Sequence, residues 1–352
     1  MNVSSGKETI KGWELVVFER DLELAEKFTI ATVSWEVASN VFVRVRYDGQ
    51  EGIGEVSPDE RWGDSPTSTI EELSAVDPES LGDPFDLENL LELLPAGAAR
   101  CALDIARHDL AAKLAGVSVA DLVGLGGRAL PTTSVTVPIA GVDAMVERAR
   151  RLADHPCLKL KIGFEGDVGV VAAIRSVYDG VIRIDANEGW SADQAIERLR
   201  ELEPFDIELC EQPIPRDRLD ELRRVTDATS IPVFADEDVS TASDVAELAG
   251  VVDGVNLKLR KTGGLREALR AISTARALGL GVMLGCDLTS GVSATAEASI
   301  TSLVDHADID GPLLLARDPH PGVIYDSGKV TLPPGPGLGV KDHGVRKPKG
   351  AS

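Results

Sequence analysis

The chain has 352 residues, of which 43% are hydrophobic, so it can bury the core of one large domain or of two smaller ones. Its 58 acidic and 36 basic side chains give a formal charge of −22, which argues against nucleic acid or an anionic membrane as a partner, because phosphate binding needs clustered Lys and Arg. Arginine outnumbers lysine by 24 to 12, and abundant carboxylate with scarce lysine can also reflect a surface suited to high salt.

Targeting signals and cysteine pairs are not expected. No apolar run approaches the roughly 18 residues that a membrane span needs, and the start, MNVSSGKETIKGWELVV, lacks the apolar core of a secretory signal. Four cysteines lack CxxC spacing, which argues against a zinc site or a disulfide framework. They are Cys101, Cys157, Cys210 and Cys286. We therefore expect a cytoplasmic protein with reduced, mostly buried thiols.

The first 125 residues are predicted to form three strands followed by helices. WELVVFER and SNVFVRVRYDGQEGIGEVSP are rich in β-forming residues and meet at a DGQ turn. We expect the intervening AEKFTIATVSWEVA to be a long connecting loop. From about residue 66 to 124 the pattern is helical, and GAARCALDIARHDLAAKLAG is predicted to be a helix that ends at Gly116.

From about residue 131, short apolar runs alternate with amphipathic helical segments. The predicted strands are SVTVPIA, CLKLKIG, VIRIDAN, IELCEQP, IPVFADE, GVNLKLR, GVMLGCD and HADIDGP. Eight such units predict an α/β fold with a (β/α)₈ barrel. Ser191 with Gln194, and Thr241 with Asp244, have the spacing of a capping box at a helix start. The tail GKVTLPPGPGLGV is too irregular for a ninth unit, and we expect it to pack back on the first domain.

The ends of the predicted barrel strands carry lysines and acids. In barrels of this type the catalytic groups lie at the carboxyl ends of the strands. The residues found there are Lys159, Lys161, Asp185, Glu211, Asp236, Lys258, Asp287, Asp308 and Asp310. From Lys161 the steps to the next four strand ends are 24, 26, 25 and 22 residues, or about one βα unit each.

Three acids on consecutive strands predict a metal site. Asp185, Glu211 and Asp236 have no histidine or cysteine beside them, and oxygen ligands of this kind suit Mg²⁺. Without a metal, three carboxylates this close would repel one another. The alternative is that each acid forms a separate ion pair or caps a helix on its own loop.

The flanking lysines are predicted to transfer protons. Lys161 and Lys159 share one face of their strand, so Lys161 would be a base whose pKa is lowered by Lys159 and the metal, while Lys159 would bind the substrate carboxylate. Lys258 would approach the substrate from the opposite side. Alternatively, Lys258 is an exposed partner of a nearby acid such as Asp236. Lys261 is a less favoured choice because it is expected to fall in a loop.

Five segments in order, LKLKIG, IDANEGW, CEQPI, FADED and NLKLRKTGG, resemble the muconate-lactonizing subgroup of the enolase superfamily. The similarity covers nearly the whole chain, and it implies an α+β capping domain (1–125), a modified, TIM-like (β/α)₈ barrel (126–315) and a C-terminal segment (316–352) that packs back on the capping domain. It also implies one Mg²⁺ per subunit on the three acids. The chemistry implied is removal of a proton next to a carboxylate, giving an enediolate that the metal stabilises.

The eighth strand separates the reactions of this subgroup. Asp308 and Asp310 in ADIDGPLLL resemble the element by which dipeptide epimerases hold the free amino group of the substrate, and two carboxylates suit an ammonium group. We therefore expect an isomerase, a Mg²⁺-dependent dipeptide epimerase that uses two lysines for a 1,1-proton transfer, acting on a small molecule as a homo-oligomer. The alternatives are an N-acylamino acid racemase, an o-succinylbenzoate synthase, a cycloisomerase or a non-catalytic metal-binding barrel.

The substrate side chain is expected to differ from glutamate. Alanyl-glutamate epimerases carry an arginine in the first capping loop, whereas residues 28–43 here contain no arginine or lysine and the matching position is Val33. Thr32 and Trp35 are further candidates for substrate contact, although the loop could instead pack on its own domain. Asp287, with Glu36, would favour an apolar or cationic side chain.

Overall fold

A computed structural model describes residues 12–341, and it places a three-stranded antiparallel sheet with helices before an eight-stranded parallel sheet. The elements of the first part are β1 (Glu14–Thr29), β2 (Ser34–Tyr47), β3 (Gln50–Val56), α1 (Pro66–Ser74), α2 (Leu90–Leu93), α3 (Ala98–Ala115) and α4 (Val119–Leu122). Two short 3₁₀ helices lie at Glu60–Trp62 and Pro78–Leu81. None of the helices in the described range is long and apolar enough to cross a bilayer.

The predicted connecting loop is wrong, because most of it forms the arm of a β-hairpin. β1 continues to Thr29 and β2 begins at Ser34, and Phe28 pairs with Trp35 near the tip. The register shifts between Glu23 and Phe28. Both faces of this arm are largely exposed, so it lacks the alternation of apolar and polar residues that marks a half-buried strand.

Small residues let α3 pack closely on the sheet. A Cβ atom on Gly54 would lie 1.9 Å from Ala102 O, and one on Gly52 would lie 2.1 Å from Ala106 O. α3 ends as predicted at Gly116, whose φ of 72° lies in the left-handed region that glycine tolerates. The helix α3 therefore packs directly against the backbone of β3.

The parallel sheet confirms the predicted barrel, with all eight strands in sequence order. Its strands are β4 (Val135–Val137), β5 (Cys157–Lys161), β6 (Val181–Asp185), β7 (Ile207–Glu211), β8 (Val233–Ala235), β9 (Gly254–Leu257), β10 (Gly281–Gly285) and β11 (His306–Asp308). The barrel closes between its first and last strands through a parallel bridge of Thr133 with Ala307 and a hydrogen bond from Ser134 N to Ala307 O.

Helices cover the outside of the barrel, and two of them begin at the predicted capping boxes. They are α5 (Val142–Arg151), α6 (Asp167–Arg175), α7 (Ala192–Leu202), α8 (Leu219–Thr226), α9 (Ala242–Glu247), α10 (Leu259–Thr262), α11 (Leu265–Ala277) and α12 (Gly291–Ile300). Further 3₁₀ helices lie at Glu203–Phe205, Thr301–Leu303 and Gly311–Leu314. Up to residue 341, only the last of these follows β11, so the eighth unit has no α-helix there.

The C-terminal segment forms a small hairpin of β12 (Ile324–Asp326) and β13 (Lys329–Thr331) before it returns to the first part of the chain. Gly337 N donates to Val117 O at 2.8 Å, and Leu338 N donates to Asp109 Oδ1 at 2.7 Å. Residues 1–11 and 342–352, which include the start inspected for a secretory signal and the end of the expected C-terminal segment, lie outside the described range.

Candidate active site

A cavity of about 470 Å³ lies at the carboxyl ends of the barrel strands, under the tip of the β1–β2 hairpin. β5 brings two lysines to it because side chains alternate along a strand. Lys159 and Lys161 line the cavity, whereas Leu158 and Leu160 belong to the main hydrophobic core. Lys258, directly after β9, lines the same cavity. The fold therefore brings together lysines that are about a hundred residues apart.

The three predicted metal ligands are fully buried beside these lysines. Asp185 and Glu211 are the last residues of β6 and β7 and lie side by side in the sheet, and Asp236 directly follows β8. Lys161 Nζ donates to Asp185 Oδ2 at 2.6 Å, and Lys258 Nζ donates to Asp236 Oδ2 at 2.9 Å. The acids thus occupy one end of the barrel interior, with a lysine on each side.

The acids form ion pairs in this arrangement. Within residues 12–341, no three carboxylate, imidazole or thiol side chains form a ready-made metal cluster. Ammonium groups lie among the acids instead: Lys159 Nζ is 2.6 Å from Glu211 Oε2 and 3.2 Å from Asp185 Oδ2. The acids and lysines share partners, because Lys159 contacts both Glu211 and Asp185 and Asp185 also contacts Lys161, so these residues form one network and not the separate ion pairs of the alternative interpretation.

The chemistry of the acids fits a divalent cation. Glu211 Oε2 is buried and, despite its short distance to Lys159 Nζ, makes no hydrogen bond of acceptable geometry. Burial, together with Asp185 and Asp236, raises the pKa of Glu211 to about 7. A buried carboxylate whose pKa is raised by two neighbouring acids is a site where added positive charge would be stabilised.

The lysines could transfer protons near neutral pH only if further positive charge were added beside the acids. Burial lowers the pKa of Lys258, but Asp236 and two further carboxylates outweigh burial, so the pKa is raised. The pKa of Lys159 is raised for the same reason, with Asp308 as the largest opposing charge. The lowered pKa expected of a proton-transferring lysine therefore requires further positive charge among these acids, which a divalent cation would supply.

Two further residues contact the acids: Lys261, which was the less favoured choice from the sequence, and Asn256, which was not predicted. Lys261 lies on the short helix α10 and not in a loop, is buried, and contacts both the carboxylate and the main-chain oxygen of Asp236. Asn256 Nδ2 donates to Glu211 Oε1 at 2.7 Å. Asn256 lies two residues before Lys258, and its inward position follows from strand alternation once the strand is known.

Asp308 and Asp310 both face the cavity. Asp308 accepts hydrogen bonds from Lys159 Nζ and Ser134 Oγ, both at 2.6 Å. Burial raises the pKa of Asp308, but the nearby lysines outweigh it and lower the pKa to about 2. Asp310 Oδ2 accepts from Thr136 N at 2.7 Å, whereas its other oxygen accepts from the Cys286 thiol, a weak donor, at 3.7 Å. Burial and Asp308 raise the pKa of Asp310 to about 6. The negative charge of Asp310 is therefore less well balanced by nearby cations than that of Asp308.

The hairpin tip presents apolar side chains to the cavity. Val33, Thr32 and Trp35 all line it, whereas Glu36 is exposed and does not. Asp287 faces the cavity, but Arg260 Nε donates to its carboxylate at 3.0 Å. The charge of Asp287 is thus already matched, and the hairpin contributes no charged group to the cavity.

A second capping segment, residues 57–66, also lines the cavity and was not predicted to do so. Arg61 forms a two-point ion pair with Asp59, at 2.7 to 3.2 Å. The guanidinium groups of Arg61, Arg216 and Arg260 lie 4.4 to 4.9 Å from the centre of the Trp62 ring, which joins this segment to the loop after β7 and to helix α10. This segment was not predicted because it is an irregular loop without the periodic apolar pattern that marks a strand or a helix. Arg61 next to Trp62 was the local feature that could have indicated a contact with another part of the chain.

Two family models match the chain. "Mandelate racemase / muconate lactonizing enzyme, N-terminal domain" matches residues 13–124, and "Enolase C-terminal domain-like" matches residues 144–342. An L-Ala-D/L-Glu epimerase from Bacteroides thetaiotaomicron is 37% identical over 334 residues, covering 93% of this chain and 87% of that protein. A hydrophobic dipeptide epimerase from Roseobacter litoralis is 37% identical over 326 residues, covering 88% and 93%.

Solved structures agree with the sequence matches. The dipeptide epimerase from Cytophaga hutchinsonii, in complex with Mg and the dipeptide D-Ala-L-Val, has a TM-score of 0.89 and 30% identity. The alignment covers 96% of each chain. The chain therefore belongs to the enolase superfamily, in its muconate-lactonizing enzyme subgroup.

Proposed function

We propose that the protein is a Mg²⁺-dependent dipeptide epimerase, an isomerase that inverts the carbon next to the terminal carboxylate. The observation that carries the proposal is the position of Lys161 and Lys258, which both line the cavity on opposite sides of three buried acids. A site that only held a metal for stability would have no need of a lysine on each side. Relatives named as dipeptide epimerases support the reaction.

The two lysines would act on opposite faces of the substrate. In one direction Lys161 takes the proton from the α-carbon and Lys258 delivers a proton to the other face; in the reverse direction the roles exchange. Each lysine must be neutral to take a proton and charged to give one, so both must exchange protons with solvent between turnovers. Delivery to the face opposite to that of removal inverts the stereocentre.

Asp185, Glu211 and Asp236 would hold the cation. Mg²⁺, when bound, supplies positive charge next to the substrate carboxylate, where negative charge grows as the α-proton leaves. To admit it, the ammonium groups of Lys161 and Lys258 must release the oxygens they now bond, which also frees them to face the substrate. Lys159, held between Glu211 and Asp308, would remain positively charged and attract the substrate carboxylate.

Asp310 and the hairpin would select the dipeptide. We place the free amino group of the substrate at Asp310 and Asp308, because one oxygen of Asp310 accepts from the Cys286 thiol, a weak donor that an ammonium group would replace. The side chain of the epimerized residue is placed under Val33 and Trp35, which makes it apolar. A relative named a hydrophobic dipeptide epimerase supports this choice over glutamate.

A screen of L,L-dipeptides in D₂O with Mg²⁺, followed by mass spectrometry, tests the function. Dipeptides with an apolar C-terminal residue should gain one mass unit at the α-carbon and yield the L,D isomer. Their N-acetylated forms should react poorly because they lack the ammonium group. Mass gain with N-acylamino acids and none with any dipeptide would contradict the proposal and favour the racemase alternative.

Three further expectations stand as proposals. We place the domain boundaries at residues 125 and 315, and the contacts of Gly337 and Leu338 with the capping domain support a C-terminal segment that returns to it. We expect a homo-oligomer in the cytoplasm. Light scattering after size-exclusion chromatography tests the assembly, and limited proteolysis tests the boundaries.

A further inference from the structure

One buried carboxylate of the capping domain reaches the barrel next to the cavity and has no part in the proposed proton transfer. Glu55, near the end of β3, is fully buried, and its carboxylate accepts four hydrogen bonds. The donors are Ser290 N at 2.8 Å, Ser290 Oγ at 2.6 Å, Ser293 N at 3.3 Å and Asn40 Nδ2 at 2.8 Å. Because Ser290 caps the start of α12, this carboxylate joins the capping domain to the first turn of a barrel helix.

The same cluster holds the loop that precedes α12. Asn40, on β2, is fully buried, and its Nδ2 also donates to Leu288 O at 2.9 Å. Leu288 lines the cavity together with its neighbours Cys286 and Asp287. The segment 286–290 is therefore fixed by two side chains of the capping domain, one at Leu288 and one at Ser290.

Leu288 also connects this segment to the hairpin above the cavity. It packs in a small apolar cluster with residues of β1, β2 and the segment after β11: Leu22, Ala38, Leu314 and Leu315. Phe28 and Trp35 of the hairpin tip pack against that cluster. A shift of Leu288 would therefore move the part of the wall that we assign to the apolar side chain of the dipeptide.

A second buried carboxylate of the capping domain provides a comparison. Asp109, on α3, is also fully buried and accepts from Ile53 N, Lys113 Nζ and Leu338 N at 2.7 to 2.9 Å. None of these four residues lines the cavity. The two acids resemble each other in burial and bonding, and differ in whether their partners reach the substrate site.

We propose that Glu55 and Asn40 are positioning residues, which hold segment 286–290 in the cavity wall and thereby set which dipeptide side chains fit. The inference rests on the proposed dipeptide epimerase function. Neither residue lines the cavity, so each acts through Leu288. A small displacement of a group in contact with the substrate is enough to change binding strongly.

The test compares Glu55→Gln and Asn40→Ser with Asp109→Asn. Glutamine keeps the shape of Glu55 but turns an NH₂ group towards donors. With L-Leu-L-Tyr, we expect KM to rise about tenfold and kcat to fall less than about threefold in the first two variants, while Asp109→Asn keeps KM within about twofold at a similar loss of Tm. The preference for L-Leu-L-Tyr over L-Ala-L-Ala should also change only in the first two. If all three variants have the same KM and preference, the inference is wrong.

Hydrogen exchange separates this inference from the proposed function. The amides of residues 286–290 should exchange faster in Glu55→Gln than in the wild type, and should be unchanged in Asp109→Asn. Unchanged exchange in Glu55→Gln would overturn the positioning role even if the enzyme epimerizes dipeptides. Asn40→Ser gives the same readout should Glu55→Gln fail to fold. A wild type that acts on no dipeptide refutes the proposed function, and exchange at residues 286–290 then still decides whether Glu55 fixes this segment.

Discussion

Lys159 Nζ lies 2.6 Å from Asp308 Oδ2, so these two side chains connect β5 to β11 past the intervening β4. The same ammonium group lies 2.6 Å from Glu211 Oε2 and 3.2 Å from Asp185 Oδ2. Lys159 is thus the shared counter-ion of two groups of acids: those proposed to hold the metal and those proposed to hold the substrate amino group. The two halves of the site are connected through one buried cation.

Replacing that cation should make the fold depend on Mg²⁺. Lys159→Met removes the charge with little change in volume and leaves Glu211 and Asp308 without their lysine partner, while Asp185 keeps Lys161. Removing one partner of a buried pair costs about 3–5 kcal/mol. We expect a lower Tm in EDTA and a partial recovery when Mg²⁺ is added, because Asp308 is not a proposed ligand. The wild type should keep its fold in EDTA because lysines neutralise the acids, and should lose only activity. Lys329→Met, at an exposed lysine on β13, should change neither.

Single replacement of either proposed base should stop epimerization and leave proton exchange on one face. Without Lys161 or Lys258, one of the two proton transfers loses its positioned group, so epimerization should fall on the order of 10³-fold. Each alanine variant, incubated in D₂O, should incorporate deuterium into only one of the two epimers, and the two variants should differ in which one. Two single variants that both still epimerize a good substrate would refute the two-base mechanism, and Lys329→Ala serves as the control.

The sequence predicted the barrel well because its strands are buried on both sides. Each is a short apolar run that ends in a polar residue, and the regular spacing of βα units predicted which acids and lysines reach the same end. The hairpin arm was missed because both of its faces are largely exposed, so its residues do not alternate between apolar and polar as in a half-buried strand. Arg61 and Glu55 were missed because docking of the capping domain on the barrel, and not a local pattern, determines whether a charged residue is buried.

A cation at the hairpin tip should change the preferred side chain. Val33 lines the cavity, and Val33→Arg would place a guanidinium group where a glutamate side chain could pair with it. We expect kcat/KM for L-Ala-L-Glu, relative to L-Ala-L-Leu, to rise at least about tenfold, since one new charge-assisted pair contributes about that much. Val142→Arg, on the exposed side of α5, should leave the ratio unchanged. An unchanged ratio in Val33→Arg would place the substrate side chain elsewhere.

The buried side chain of His108 should stabilise the fold more at low pH than at high pH. His108 Nδ1 lies 2.8 Å from Asp104 O and 3.2 Å from Asp104 Oδ1, and Asp104 Oδ1 also accepts from Leu265 N at the start of α11. Burial and Arg107 lower the pKa of His108, but the Asp104 carboxylate and the hydrogen bonds to Asp104 outweigh them, so the pKa is raised.

Because the folded protein holds this proton more tightly than the unfolded chain, the stabilisation is complete below the unfolded pKa of about 6.5 and is lost as pH rises through the folded pKa. The Tm difference between the wild type and His108→Gln should therefore be largest near pH 6 and shrink towards pH 9. His155 provides the opposite case, since burial lowers its pKa and its contribution should become more favourable as pH rises. The His155 slope lies below the unfolded pKa of about 6.5 and the His108 slope above it, so thermal unfolding of both glutamine variants from about pH 4.5 to 9 measures the two slopes. Slopes of the same sign would show that His108 is not held in its charged form by Asp104.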